Sequence, residues 1–237
     1  MSSLKEIKTR IASVKNTLKI TSAMKMVASA KLHKAQTAIG NKLPYEQQLH
    51  RMLAGLLQSE DLRESLGKEL GLSSRNGKSP VVLQDVDMDV LPSKKDAERV
   101  ALVVFSSNSS LCGAFNANVI RKFNETVSRL REHGYELKDI DVFAVGKKAA
   151  DAAVKAGFQL DEDFTDLADK PSYDRAVDLA SELIDRFSDG EVEQVIFIYS
   201  HMASTSSQPV IRENYRPLAL HDYASGAYPE DYILEPD

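Results

Sequence analysis

Four stretches of the chain carry residue types that could do chemistry. Gly146-Lys147-Lys148 has the glycine–lysine step of a phosphate-cradling loop, in which backbone N–H groups and a lysine hold a polyphosphate. Asp141 stands where such a loop needs its first glycine, and Lys148 where it needs Ser or Thr, so the stretch reads as a strand-to-helix turn. Ser106–Cys112 offers hydroxyls and a thiol just past an apolar run, the kind of position where nucleophiles sit. It lacks the Gly-x-Ser-x-Gly elbow, and no histidine with an orienting acid completes a triad. His201 is likewise a lone histidine. Asp85-x-Asp87-x-Asp89 opens like a calcium loop, but Val90 and Asp96 replace the glycine at six and the glutamate at twelve, which leaves an acidic linker. No catalytic residue, metal or cofactor is expected.

The elements around these residues set the function class. The chain has 237 residues, 43% hydrophobic and 27% charged, the balance of a folded domain with an appendage. Its longest apolar run is Val100–Phe105, too short to span a bilayer, and Met1-Ser-Ser-Leu-Lys-Glu does not read as a secretory signal. A single cysteine, Cys112, excludes an internal disulfide and a Cys-built zinc site, which points to a reducing compartment. The net charge of −5 hides an asymmetry. Residues 1–59 hold eight Lys and two Arg against Glu6 and Glu46, while the remainder holds 20 basic and 33 acidic residues. A basic quarter at +8 on a body at −13 implies a segment with its own acidic partner.

Residues 1–39 contain no Gly, Pro or aromatic residue. Ser3 and Glu6 have capping-box spacing. Leu4, Ile7, Ile11, Val14, Leu18, Thr21, Lys25, Ala28, Leu32, Ala35 and Ile39 alternate steps of three and four, a heptad seam broken only by Thr21 and Lys25. A second stripe, Ile20, Met24 and Val27, widens the apolar surface there, so Ile20–Ala30 is apolar or small almost all round. Such a helix spans roughly 58 Å and should project beyond a body about 35–40 Å across. Gly40 and Pro44 mark a break or kink, after which Tyr45–Leu57 resumes helical spacing. We therefore expect a helical segment over residues 1–58 and a linker over 59–98 that carries short apolar pieces at Val81–Leu83, with one short helix and one edge strand at most.

From Arg99 to Asp237 the pattern is alternating α/β. Strands are expected at Val100–Phe105, Asp141–Val145 and Val192–Tyr199, and helices at Asn118–Glu132, Lys147–Lys155 and Ser172–Phe187. The expected class is α/β: a long N-terminal coiled-coil helix plus a small Rossmann-like parallel-sheet domain with flanking helices. Pro209–Asp237 shows no obvious helix. Nucleic acid is not an expected partner, because the lysines are interspersed with the seam and do not form a separate basic block.

Residues 10–32, Arg-Ile-Ala-Ser-Val-Lys-Asn-Thr-Leu-Lys-Ile-Thr-Ser-Ala-Met-Lys-Met-Val-Ala-Ser-Ala-Lys-Leu, closely resemble the N-terminal signature of the gamma subunits of F-type ATP synthases. Leu111-Cys-Gly-Ala-Phe-Asn, Ser206-Ser-Gln-Pro and Tyr232-Ile-Leu-Glu-Pro agree with the same family in order. The resemblance implies a non-catalytic rotor that couples proton flow through a membrane c ring to the catalytic beta subunits. Its implied partners are the alpha and beta subunits, the epsilon subunit and the c ring. Its implied place is peripheral, on the cytoplasmic face of a bacterial inner membrane. The resemblance further implies that Ile20, Met24, Lys25 and Val27 meet the catalytic sleeve, with Met24 and Lys25 near an acidic lever of the beta subunit. Lys42, Tyr45, Ser206 and Gln208 then belong to a foot facing the c ring.

Two departures accompany the resemblance. Asn108, Ser109 and Ser110 replace the family's usual Asp, basic residue and Gly, which removes charge from that loop. The chain stops at Asp237, where the family continues into a C-terminal helix that pairs with the first. The expectation is a fragment whose seam lacks its partner, and which either self-associates through it, antiparallel helix on helix, or leaves residues 1–40 partly disordered. An α/β nucleotide-binding protein with a coiled-coil arm is the alternative.

Overall fold

The computed structural model describes residues 4–56, 81–82, 99–160, 163–204, 206–216 and 218–219. The chain divides into two units, with the boundary between Leu53 and Ala54. The first is a single helix, α1 (Leu4–Leu56), of 53 residues. At 1.5 Å per residue that is roughly 80 Å of helix. Of the break or kink expected at Gly40–Pro44, a break does not occur, since α1 runs through both residues. The geometry explains the tolerance. A proline ring presses on the carbonyl four residues earlier, here that of Gly40, whose missing side chain leaves the backbone free to adjust. The hydroxyls of Thr9, Thr17, Thr21 and Thr37 donate to carbonyls one turn back at 3.0 Å, so they bond within α1 itself.

In the second unit a two-residue strand β1 (Val81–Val82) comes first. It pairs in parallel with β6 (Leu218–Ala219). The main sheet contains β2 (Val100–Phe105), β3 (Ile140–Val145), β4 (Gln194–Ser200) and β5 (Val210–Arg216) in the order β3-β2-β4-β5. β2 runs parallel to both β3 and β4, whereas β5 is antiparallel to β4. Helices α2 (Phe115–Glu132), α3 (Lys147–Lys155) and α4 (Tyr173–Ser188) connect the parallel strands, with short 3-10 turns at Leu137–Asp139 and Thr165–Ala168.

The alternation of side chains along β2 divides the core in two. Val100, Leu102 and Val104 face α2 and α3, packing with Val119, Phe123 and Leu130. Ala101 and Val103 face the opposite side with Phe143, Phe164, Leu179 and Leu183. Both faces of β2 are therefore apolar, which is why it reads as an unbroken β-branched run. Leu102, Leu130, Ile196 and Ile198 have no measurable exposure, and each such side chain contributes about 1.5–3 kcal/mol by burial.

The sheet is mixed, not wholly parallel, because the tail supplies β5. Its inward residues include Arg212 and Asn214, each only 8% exposed. A strand whose buried side is polar hides the apolar alternation that identifies half-buried strands. Expectations for residues 57–80, 83–98 and 220–237 lie outside the described residues.

Candidate partner-binding surfaces

The turn Val145-Gly146-Lys147 decides whether the body can hold a phosphate. Gly146 has φ +105°, and a Cβ there would stand 2.3 Å from the carbonyl oxygen of Ser106, so only glycine fits. This close approach brings the loop after β2 onto the start of α3. The Ser106 hydroxyl accepts the Ala149 N–H at 2.8 Å, and Asn108 Oδ1 accepts the Lys147 N–H at 2.7 Å. Two of the first three N–H groups of α3, those an anion would need, are therefore taken by side chains of this chain. Asn108 Nδ2 donates onward to the Thr165 carbonyl at 3.0 Å and to Asp169 at 2.8 Å. One amide thus ties together the β2 loop, α3 and the Thr165–Ala168 turn.

The remainder of that loop is bonded to itself. Buried Asn116 donates through Nδ2 to the Ser109 carbonyl at 2.8 Å and to Cys112 Sγ at 3.0 Å, and its Oδ1 accepts the Ser107 N–H at 3.0 Å. Ser107 and Cys112 therefore serve the turn, and no acid–base pair stands beside them. Among the described residues no group of His, Cys, Asp and Glu could hold a metal ion. Beside the loop, where the strand order reverses between β2 and β4, lies a cavity of about 450 Å³. Phe105, Phe197, Tyr215, Leu179 and Leu183 are among the residues of its mainly apolar wall. Tyr215 stacks on Phe197 with 4.5 Å between ring centres, and Phe105 meets Phe197 edge-on at 5.5 Å. An aromatic wall of this kind has few donors for a phosphate or a ribose.

The other candidate residues sit on two separate surfaces. On α1, Ile20, Met24 and Val27 follow steps of four and three, which puts them on one face, and they are 62, 52 and 58% exposed. Lys25 is one residue round from Met24 and also exposed. Lys42 and Tyr45, three apart, share a face further along α1. Ser206 and Gln208 belong to the second unit, in the exposed turn between β4 and β5. There Ser204 and Ser207 exchange backbone bonds, the Ser206 N–H bonds to the Ser204 hydroxyl at 3.3 Å, and Gln208 Nε2 donates to the Ser204 carbonyl at 3.0 Å. His201, adjacent to this turn, is exposed.

Acidic groups populate the body's own ion pairs. The Thr165 hydroxyl, then its amide, hold the Asp163 carboxyl below its usual range. Burial works against the charge on Arg186, yet its bonds to Glu182 and the nearby Asp141 carry the guanidinium above its ordinary value. The tie made by Ser106 and Asn108 has no sequence signature, because its partners lie 43 and 39 positions away.

Comparison with known proteins bears on the whole chain. The family model described as ATP synthase matches residues 3–237. The ATP synthase gamma chain of Phocaeicola vulgatus is 43% identical over 240 residues, which cover all of this chain and 74% of that one. That of Bacteroides fragilis is 45% identical with the same coverage, and that of Flavobacterium johnsoniae 34% identical over 236 residues, with 72% of its length covered. Among solved structures, a chain of the Tetrahymena thermophila mitochondrial ATP synthase central stalk and c-ring has a TM-score of 0.37 at 18% identity, covering 81% of each chain.

Proposed function

This chain belongs to the ATP synthase gamma chain family, and from that premise we propose that it is the central-stalk rotor subunit of a proton-translocating ATP synthase. In this reading α1 is the shaft. Rotation driven by proton flow through a membrane c ring presents its different faces in turn to the catalytic beta subunits. Each face binds some conformations of a beta subunit better than others, and this differential binding drives the exchange between nucleotide affinities. The chain supplies no catalytic residue, since the active sites are those of the beta subunits.

The observation that carries the reading is the exposed surface of α1 over Ile20–Ala30, apolar or small nearly all round on an uninterrupted 53-residue helix. A mostly apolar surface makes few directional bonds that would lock it to one neighbour as it turns, and it stays exposed until a sleeve surrounds it. Ile20, Met24 and Val27 supply the apolar contact. Lys25 faces an acidic lever on the beta subunit, where charge attraction aids alignment more than affinity. Lys42, Tyr45, Ser206 and Gln208 form the foot on the c ring, and the epsilon subunit binds the α/β body. The proposed organisation is a shaft over residues 1–58, a linker over 59–98 and the body over 99–237.

Among the described residues no helix is long and apolar enough to cross a membrane. A peripheral position on the cytoplasmic face of a bacterial inner membrane fits this proposal. The test mixes the chain with alpha and beta subunits purified from the same source. Elution of all three as one assembly is the expected result. Independent elution of folded subunits would refute the assignment.

A further inference from the structure

The cavity between α4 and the sheet follows from the residues that bound it. Ala176, Leu179, Ala180 and Leu183 stand at i, i+3, i+4 and i+7, one face of α4 turned toward the strands. The two leucines are 6 and 1% exposed, whereas the alanines beside them leave the space over the rings of β2, β4 and β5 unfilled. A second cavity, of about 370 Å³, meets the first at Phe105, Ser106 and Phe197 and extends to Tyr199 and Ser200. Among the described residues, no charged side chain lines either one. The Tyr199 hydroxyl donates to Glu213 at 2.6 Å, and that of Ser106 accepts the Ala149 N–H. The buried hydroxyl of Ser200 has no hydrogen-bond partner among the described residues. We propose that this crevice is a binding site for a small, neutral, flat aromatic molecule that carries one hydroxyl.

Size, wall and charge each select that class. An apolar cavity of about 150 Å³ holds benzene, so one of about 450 Å³ has room for two fused rings. Phe197 and Tyr215 lie parallel within 8°, while Phe105 stands at 63° to Phe197. The wall therefore offers both the stacked and the edge-on contacts that aromatic rings prefer. A charged guest would lose its hydration and find no counter-charge. A guest hydroxyl, by contrast, satisfies Ser200, whose unpaired oxygen otherwise costs free energy. The crevice opens at the carboxyl ends of β2 and β4, the usual place for a ligand in an open α/β sheet. Its floor, the α4 wall and Leu167 of the Thr165–Ala168 turn all belong to one body, so no partner subunit is needed to complete it. The inference is thus independent of the rotor assignment.

The test titrates the full chain with 2-naphthol, 2-naphthoate and naphthalene, following the leucine methyl signals by NMR. 2-Naphthol should shift the methyls of Leu179 and Leu183 saturably, with a Kd on the order of 0.1 mM. The 2-naphthoate anion should bind at least roughly tenfold more weakly. Ala180→Leu fills the space, so it should weaken 2-naphthol at least roughly tenfold while the circular dichroism of the body is kept. Ala176→Leu, on the outer turn of the same face, should do the same if the first variant misfolds. Ser200→Ala should weaken 2-naphthol about threefold and leave naphthalene unchanged, the mark of a lost hydrogen bond. Shifts confined to α1, no saturable shift at all, equal binding of 2-naphthoate, or binding undiminished in the folded leucine variants would each overturn the inference. An unchanged affinity of Ser200→Ala for 2-naphthol would overturn the assignment of the hydroxyl.

Discussion

Asn108→Asp restores the acid usual in the resembling family at the point where this chain ties three elements together, and it should destabilise the body. The amide Nδ2 donates to the Thr165 carbonyl at 3.0 Å and to Asp169 at 2.8 Å, and a carboxylate can do neither. Two part-exposed hydrogen bonds are worth about 1 kcal/mol each. The new carboxylate also stands against that of Asp169, which adds about 1 kcal/mol of repulsion when screened by a water-like dielectric. Against this, its negative charge at the first N–H of α3, bonded at 2.7 Å through the same atom position, returns up to about 1 kcal/mol. The net loss is about 2–3 kcal/mol at neutral pH, or a melting temperature lower by roughly 5–10 °C. Facing another carboxylate, the new group has a folded-state pKa above its unfolded value, so the deficit is greatest at neutral pH. It shrinks as pH falls toward the ordinary carboxylate range near ~4, where one shared proton restores a donor. Urea unfolding of wild type and variant, followed by circular dichroism at neutral and acidic pH, reads both effects. Equal stability at neutral pH, or a deficit that does not change with pH, would refute the reasoning.

Three further outcomes follow from the same structure. Gly146→Ala should cost about 3 kcal/mol or more, because a Cβ at φ +105° falls 2.3 Å from the Ser106 carbonyl oxygen, and thermal denaturation will register it. Asp163→Asn should lower stability at neutral pH by under about 1 kcal/mol, the screened strength of an exposed cap. Because the Asp163 carboxyl is held low in the folded chain, its contribution is present above the unfolded pKa and lost as pH falls through the folded one, so wild type and variant should converge in acid. In the assembled complex, the proposed placement of Lys25 against the beta subunit predicts that Lys25→Glu lowers ATPase turnover about tenfold while Lys25→Arg retains it, since only the first reverses the charge.

Much of the architecture was legible because local pattern and tertiary role agree. Val100–Phe105 is apolar on both faces and is buried on both, and the heptad of residues 4–39 marks the helix that forms. Pattern fails where a neighbour decides. Pro44 looks like a stop, yet the residue four positions before it, whose carbonyl a proline ring crowds, is a glycine. β5 escapes notice because Arg212 and Asn214 face inward, the reverse of the usual alternation. Ile20, Met24 and Val27 were visible as an excess of apolar surface, whereas the roles of Lys25, Lys42 and Tyr45 came only from the family resemblance, and the tie between Ser106, Asn108 and α3 depends on strands brought together by the sheet. Asn108 stood out in sequence only as a lost charge, and its three-way bonding is visible only in the fold.

The central claim is that α1 turns inside the catalytic subunits. In the assembled complex, a Met24→Cys variant joined to a beta subunit by a reducible cross-link tests it directly. ATPase activity should stop when the link forms and return when it is reduced. Full, undiminished turnover with the link intact would contradict rotation of α1 and with it the rotor assignment.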